Sequence, residues 1–237
     1  MSKQNNTSGK FATSIRDASI VLKELKILRN ENPMWKKASV DFLKVSKQDD
    51  YKLMYDTAVN NYDYNLILDD GSIFQFEKDI NEDMRYAFIQ TPYNYVSFID
   101  FLLSFNDEQE IPDNPDEIAE LKSIYENEYE QMLSEQGLNS KVIYFRYDVD
   151  SVRYMPNIHS YAHLHVGFGN DIRIPCATIL TPVSFVIFVV KHTYKNNWES
   201  LIKDEKRRKK VLHYANERER LNDDKWSDIE RMELALI

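Results

Sequence analysis

The sequence has a single cysteine, Cys176, and only five glycines among its 237 residues. One cysteine cannot form a disulfide within the chain, and it cannot supply a cysteine-based zinc site. Neither the P-loop pattern nor the Rossmann glycine pattern occurs. These absences exclude disulfide-rich secreted domains, zinc ribbons and glycine-loop nucleotide-binding proteins.

Long hydrophobic runs are also absent. The most apolar stretch, residues 179–190, is interrupted by Pro182 and is too short to cross a bilayer. Residues 1–10 are polar and lack the apolar core of a signal peptide. We therefore expect residues 1–10 to be a disordered tail, and we expect a soluble, cytoplasmic protein with no membrane partner.

The composition is that of a folded globule. Apolar residues make up 43% of the chain and aromatic residues 13%, which argues against global disorder. The length allows a substantial core. We expect a single α+β domain over residues 11–237, in which residues 197–237 could form a helical appendage.

Charge is distributed unevenly along the chain. The net charge is −9, and residues 104–136 carry eleven acidic residues against one lysine. This acidic segment could mimic nucleic acid or dock on the basic surface of a protein partner. Residues 203–210 form a basic run, which could bind phosphates or could be the solvated face of a helix. The sequence leaves both interpretations open.

Alternating and apolar patterns predict an antiparallel sheet. Residues 62–68 and 72–77 flank Asp70-Gly71, which is a strong hairpin signal. Further strands are predicted at residues 85–90, 141–149, 161–167 and 171–174. Thr181 and Pro182 begin a helix that is apolar nearly all round, over residues 183–194, so it should be buried. The predicted fold is α+β, with helices packed on one face of the sheet and a helical C-terminal extension.

The histidines are the most informative residues for function. His163 and His165 are two apart, so in a strand both imidazoles lie on one face, while Leu164 and Val166 lie on the other. If the apolar face is buried, the two imidazoles should emerge together on the solvent-facing side. Imidazole titrates near neutral pH and is a common metal ligand.

Other charged residues should share that face. Alternation places Arg146 with Asp148 on one strand, and Asp171 with Arg173 on another. Two imidazoles, two guanidinium groups and two carboxylates would then gather on one surface. A polar face held together by ion pairs is the simplest interpretation, but the same set of side chains suits phosphodiester chemistry.

In a phosphodiester mechanism each residue type has a role. His163 and His165 would act as acid and base, with His159 nearby. Arg146 and Arg173 would bind the phosphate, and Asp148 would orient an imidazole. This mechanism needs no metal.

A metal site is the alternative. His163 and His165 supply two ligands on one face, and His159, Asp171 or His192 could complete a set for zinc or another divalent ion. The His-Glu-x-x-His motif of zinc proteases does not occur. This alternative predicts a metal-dependent hydrolase.

Several motifs resemble a bacterial domain-of-unknown-function family, number twenty-two-ninety. They are Tyr144-Phe-Arg-Tyr-Asp148, His159-x-x-x-His163-Leu-His165-Val-Gly167, Arg173-Ile-Pro175, Thr181-Pro-x-x-Phe185 and Asp70-Gly-Ser-Ile-Phe-Gln-Phe76. The resemblance covers most of the chain, and it implies no particular activity.

The Arg-Tyr-Asp strand followed by a His-rich strand also resembles the TumE-type toxins of bacterial toxin–antitoxin pairs. That resemblance implies a ribonuclease-like toxin with a site at Arg146, Asp148, His159, His163 and His165. Ala162 stands where those toxins tend to have another histidine. The leading hypothesis is thus a metal-independent ribonuclease-like or toxin-like protein of a phage-defence or toxin–antitoxin locus. A non-catalytic acidic interaction protein and a metal-dependent hydrolase are the alternatives.

Overall fold

The fold is built on a seven-stranded antiparallel sheet. The computed structural model describes residues 2–34, 37–105, 112, 114–135, 137–139, 141–169, 172–215 and 218–233. The strands of the sheet lie side by side in chain order, and each neighbouring pair is antiparallel. They are β1 (Leu28–Glu31), β2 (Leu66–Leu68), β3 (Ile73–Lys78), β4 (Met84–Ile89), β5 (Tyr144–Val149), β6 (Ala162–Val166) and β7 (Ile172–Pro175).

One face of this sheet is apolar and carries the main core. Phe76, Tyr86, Tyr147 and Leu164 lie in register across β3, β4, β5 and β6. Helices α1 (Ser2–Glu24) and α7 (Pro182–Thr193) contribute to the same core. The Phe185 ring of α7 packs 5.8 Å from the Tyr86 ring, centroid to centroid. The predicted α+β fold and the buried apolar helix are confirmed.

Helix α7 begins as the sequence predicts. The Thr181 hydroxyl accepts a hydrogen bond from the Ser184 backbone N–H, and Pro182 occupies the first turn, where a missing N–H costs nothing. Eight residues of α7 are buried, including Val183, Phe185 and Val186. Burial on most sides explains why this helix lacks the polar stripe of a surface helix.

Helix α1 starts earlier than predicted. Its bounds include residues 2–10, which the polar composition predicted to be a disordered tail. The helix is anchored farther along by Ala18, Val21 and Leu22, which are fully buried. Once such a segment is fixed, each added residue extends an existing helix without a new nucleation cost. Polar residues can therefore continue the helix.

The C-terminal residues pack into the main core. Helices α8 (Lys195–Lys203), α9 (Glu205–Ala215) and α10 (Asp228–Glu233) are present, and Leu201 and Val211 belong to the core cluster. Between α9 and α10, strand β9 (Arg218–Arg220) pairs with β8 (Thr178–Leu180). The predicted helical appendage thus includes a strand and is joined to the main unit by buried side chains.

Three of the six basic residues in the run of residues 203–210 form ion pairs within the protein. Arg207 and Lys210 both form ion pairs with Glu24 of α1, and Lys209 pairs with Glu205. These contacts favour an ion-paired helix face over a phosphate-binding surface.

The chain divides into two compact units, whereas the sequence predicted one domain over residues 11–237. The first unit comprises Met1–Gln90 with Ile143–Ile237, and the second is Thr91–Val142. The first also contains α2 (Val40–Val45) and α3 (Tyr51–Asn60). The second contains α4 (Phe98–Phe105), α5 (Pro115–Ile124) and α6 (Glu126–Glu135), around its own cluster of Phe98, Phe101, Leu102 and Tyr129.

The acidic segment of residues 104–136 belongs to the second unit. Glu126, Glu128 and Glu130 are exposed on α6, whereas residues 106–111, 113 and 136 lie outside the described residues. Its role as a docking surface stays a prediction. Within the described part of the chain, no helix has the length and apolar character needed to cross a membrane.

Candidate functional site

The polar face of the sheet brings together four of the predicted site residues. Arg146 and Asp148 lie on β5, and in the antiparallel register they are paired with His165 and His163 of β6, respectively. Because side chains two apart in a strand share a face, all four lie on the face opposite to Tyr147 and Leu164. The predicted alternation of side chains between the two faces of these strands is confirmed.

The four side chains are in close contact. Oδ2 of Asp148 lies 3.0 Å from both Nε and Nη2 of Arg146. The same oxygen lies 3.4 Å from Nε2 of His165 and 3.8 Å from Nε2 of His163. Nη2 of Arg146 also lies 2.9 Å from Nε2 of His165. One carboxylate oxygen is therefore the centre of a cluster of two imidazoles and a guanidinium group.

The contacts assign the imidazole tautomers. Nδ1 of His163 lies 3.0 Å from the Ser160 carbonyl oxygen, which can only accept, so Nδ1 carries the proton. In the neutral ring, Nε2 then carries a lone pair, which lies beside Asp148. For His165, Nε2 accepts from Arg146, which can only donate, so its proton is on Nδ1. That Nδ1 is buried without a hydrogen-bond partner.

The imidazoles are buried, and the expectation that they face solvent is wrong. His163 and His165 are each only 1% exposed, and Asp148 is 5% exposed. The β5–β6 connection brings the partly buried His159 onto His163, with ring centroids 4.9 Å apart and the rings nearly perpendicular. Alternation along a strand decides which face a side chain takes, but contacts from distant segments decide whether that face is covered.

Burial and neighbouring charges determine the protonation states. Loss of water lowers the pKa of His163 to about 4, and the nearby His165 and Arg173 act in the same direction, whereas Asp148 opposes them. Burial also lowers the pKa of His159, as does the positive charge of Arg173. His163 is therefore neutral at pH 7.

Asp148 stays ionised although it is buried. Burial by itself favours the neutral acid, but the contact with His165 and the charges of Arg146 and Arg85 outweigh it and hold the pKa well below its usual range. A buried carboxylate that remains charged beside the neutral His163 ring is a strong acceptor for a cation.

Asp148, His163 and His165 have the geometry of a metal-ligand set. One ligand atom from each of the three buried residues lies within 4.8 Å of the others. Two ligands about 2.1 Å from one tetrahedral zinc ion lie roughly 3.4 Å apart, close to the separations between Asp148 and the two rings. The third candidate ligand is Asp148, whereas the sequence proposed His159, Asp171 or His192, the last of which is exposed on α7. Asp171 lies outside the described residues, and His159 stands next to the set.

The two predicted phosphate-binding arginines differ in position. Arg146 is part of the cluster, whereas Arg173 is exposed on β7, opposite His165 in the register. Arg85 was missed by sequence reasoning. It is paired with Asp148 across β4 and β5, and its Nε lies 3.5 Å from Oδ1 of Asp148. Pairing the predicted strand 85–90 with 141–149 would have revealed it.

Two clefts adjoin the cluster, and Arg85 and Glu77 line both. The first, here the arginine cleft, has a volume of about 50 Å³ and is also lined by Arg146, Tyr144, Phe168 and Phe42 of α2. The second, here the acidic cleft, has a volume of about 340 Å³ and is also lined by Asp148 and Arg153. The net formal charge of the lining residues is +1 in the arginine cleft and −3 in the acidic cleft.

Residues 22–227 match the family of uncharacterized conserved proteins designated DUF2290. The chain belongs to this family. The match includes Arg85, Asp148, His163 and His165, and it spans both compact units. The family resemblance seen in the sequence motifs is confirmed, and the DUF2290 designation carries no activity. No curated protein and no solved structure matches the chain. The TumE resemblance stays a prediction.

Proposed function

We propose that this DUF2290 protein is a metal-dependent hydrolase of phosphoester bonds, in which Asp148, His163 and His165 hold one divalent transition-metal ion. The observation that carries the proposal is the convergence of three acceptor atoms, one from each buried side chain, within 4.8 Å of one another. Two imidazoles and a carboxylate are a common donor set for zinc, iron and manganese, and they leave coordination positions open.

The orientation of His163 supports this proposal. A metal-bound histidine commonly donates its other ring N–H to a backbone carbonyl, as Nδ1 of His163 does to Ser160. Its Nε2 lone pair and the Asp148 carboxylate are two acceptors 3.8 Å apart, an arrangement that a cation between them would stabilise. The low pKa of the ring keeps that lone pair available at neutral pH.

The arginine cleft supports a phosphoester substrate. Its lining has a net positive formal charge, and its guanidinium groups, on Arg85 and Arg146, are suited to bidentate phosphate binding. A divalent ion would supply a bound hydroxide at neutral pH. Held by Asp148, His163 and His165, the ion would supply the nucleophile for cleavage of the phosphorus–oxygen bond, and the leaving oxygen would take a proton from water.

A metal-independent ribonuclease or toxin-like activity is the second candidate, as the sequence first suggested. Its support is the position of Arg146, whose guanidinium lies within hydrogen-bond distance of both Asp148 and His165. Here neutral His163 would be the base and His165 the acid. Both rings are buried, so this candidate requires the β5–β6 connection to move before RNA can reach them.

One experiment separates the two candidates. Protein purified without chelator is measured for bound metal, and for hydrolysis of bis-p-nitrophenyl phosphate and of RNA with and without EDTA. The first candidate predicts one metal per chain, lost in His163→Ala and Asp148→Ala, and hydrolysis that EDTA abolishes. His213→Gln, on the exposed face of α9, is the matched control and should retain both properties.

EDTA-resistant RNA cleavage that requires His163 would instead establish the second candidate. Protein that binds no metal when zinc, manganese or iron(II) is added, and cleaves neither substrate, would contradict both.

A further inference from the structure

The β5–β6 connection exposes three large apolar side chains, Val152, Met155 and Ile158, here called the loop patch. Their exposed fractions are 78%, 53% and 75%, respectively. A single exposed apolar residue is ordinary, but three within seven residues of one loop concentrate apolar surface that water solvates poorly. The loop patch is therefore a candidate interaction surface.

The loop that carries the patch is held in place by many hydrogen bonds. The backbone N–H groups of Ile158 and His159 both donate to the Met155 carbonyl, at 3.0 and 2.8 Å. At its start, Ser151 N–H donates to Asp83, and Arg153 Nε lies 2.6 Å from Asp150 Oδ2. A loop fixed in this way has little conformational entropy left to lose on binding, which favours association.

Farther along the loop, the Ser227 hydroxyl donates to the side chain of Asn157, at 2.6 Å. Asn157 has a positive φ of 65°, a backbone conformation that asparagine adopts more readily than most residues. The exposed apolar side chains thus project from a constrained turn.

The acidic cleft borders this patch, because Val152 contributes to its lining. The cleft has five carboxylates, on Glu77, Asp79, Asp83, Asp148 and Asp150, against two guanidinium groups, on Arg85 and Arg153. Oδ1 of Asp148 forms no hydrogen bond although the residue is 5% exposed, and Nε of Arg85 lies 3.5 Å from it. A ligand placed here must tolerate negative charge on one side and offer apolar surface on the other.

We propose that the acidic cleft and the loop patch together bind a segment of a partner protein in which lysine or arginine residues alternate with large apolar residues. The cationic groups would enter the acidic cleft, and the apolar groups would cover Val152, Met155 and Ile158. Charge complementarity identifies this occupant. Nucleic acid has the wrong charge, and a second copy of this chain, with a net charge of −9, would bring two acidic clefts together.

This proposal does not rest on the hydrolase proposal, although Asp148 and Arg85 line the acidic cleft and also belong to the proposed hydrolase site. The test uses the full chain and three fluorescein-labelled synthetic peptides, which alternate lysine with leucine, lysine with serine, or glutamate with leucine. Binding is measured by fluorescence anisotropy at several salt concentrations. The lysine–leucine peptide should bind most tightly, and its affinity should fall as salt rises.

Two sets of variants separate the contributions of charge and apolar contact. Asp79→Asn with Asp83→Asn removes two charges but keeps the side-chain oxygens that accept from the backbone. Val152→Ser with Ile158→Ser removes apolar surface at exposed positions. Each pair of substitutions should weaken the binding of the lysine–leucine peptide by about tenfold or more. Glu126→Gln with Glu130→Gln, exposed on α6, is the charge-matched control and should leave the affinity unchanged.

Equal weakening by the α6 control would show nonspecific attraction to negative charge and would overturn the proposal. Unchanged affinity in the Val152 and Ile158 variant would do so too. Sedimentation equilibrium tests the other occupant: self-association that the Ile158→Ser substitution abolishes would assign the patch to a second copy. Phosphoesterase activity is measured on the same variants and should be retained. Peptide affinity tests the docking proposal and phosphoesterase activity tests the hydrolase proposal, so the two can fail separately.

Discussion

Nη2 of Arg146 lies 2.9 Å from Nε2 of His165. The guanidinium group therefore faces the lone pair with which His165 would bind the proposed metal ion. The same guanidinium contacts Asp148, and Arg146 also lines the arginine cleft. Arg146 thus supplies positive charge to the cluster, and a metal ion would compete with it for the same acceptors. If a metal ion displaced the Arg146 guanidinium toward the arginine cleft, the guanidinium would be in position to bind phosphate.

This competition gives the first prediction. Arg146→Met should raise the affinity for zinc or manganese by about tenfold, roughly 1.4 kcal/mol, because the positive charge beside the ligands is removed. Phosphoester hydrolysis should fall, because a phosphate contact is lost. Isothermal titration calorimetry measures the affinity, with Arg173→Met on exposed β7 as the control. A weaker affinity in Arg146→Met would show that the guanidinium helps to form the site.

The second prediction concerns the stability of the metal-free protein. Asp148→Asn removes the negative charge that balances the partly buried Arg146, and it should lower the free energy of unfolding by about 3 kcal/mol. Urea denaturation measures the loss. Asp150→Asn is the control, because Asp150 pairs with the Arg153 side chain, which is 67% exposed. We expect this substitution to lower the free energy of unfolding by less than about 1 kcal/mol. Equal losses would mean that the cluster contributes no special stability.

The third prediction is a pH dependence of folding in the metal-free protein. The pKa of His163 is about 4 in the folded state, whereas an unfolded histidine titrates near pH 6.5. The unfolded chain therefore binds a proton that the folded protein excludes. Stability should be fully present above about pH 6.5 and should fall progressively toward pH 4, by up to roughly 3 kcal/mol.

Urea midpoints measured between pH 7.5 and pH 4 test this dependence. His163→Asn should show a shallower fall over the same interval, whereas His213→Gln, exposed on α9, should keep the wild-type slope. A wild-type slope in His163→Asn would mean that other groups, such as His159, carry the dependence.

The fourth prediction concerns the core that supports the site from behind. Phe185 is fully buried and packs against the rings of Phe74, Phe76 and Tyr86. Phe185→Ala should lower the free energy of unfolding by about 4 kcal/mol, because it removes apolar contacts and leaves a cavity. Ile158→Ala, at a 75% exposed position, should change it by less than about 0.5 kcal/mol. Comparable losses would place Phe185 outside the cooperative core.

Several elements were predictable because their signals are local. The Asp70-Gly71 turn, the strands on either side of it and the Thr181 cap of α7 each depend on a few neighbouring residues. Strands β1, β8 and β9 were not predicted. Each has only three or four residues, too few for an alternating pattern to stand out, and β9 is the charged segment Arg-Glu-Arg. Pairing with a distant strand, rather than local propensity, makes these segments extended.

The sequence alone determined the α+β class, the antiparallel strands of the site and the sharing of one face by Arg146, Asp148, His163 and His165. These follow from chain periodicity, which is a property of adjacent residues. Only the tertiary structure decided that the two imidazoles are buried, that Asp148 is their common partner and that Arg85 joins them from β4. Burial and register depend on which distant segments meet, and that depends on the packing of the whole first unit.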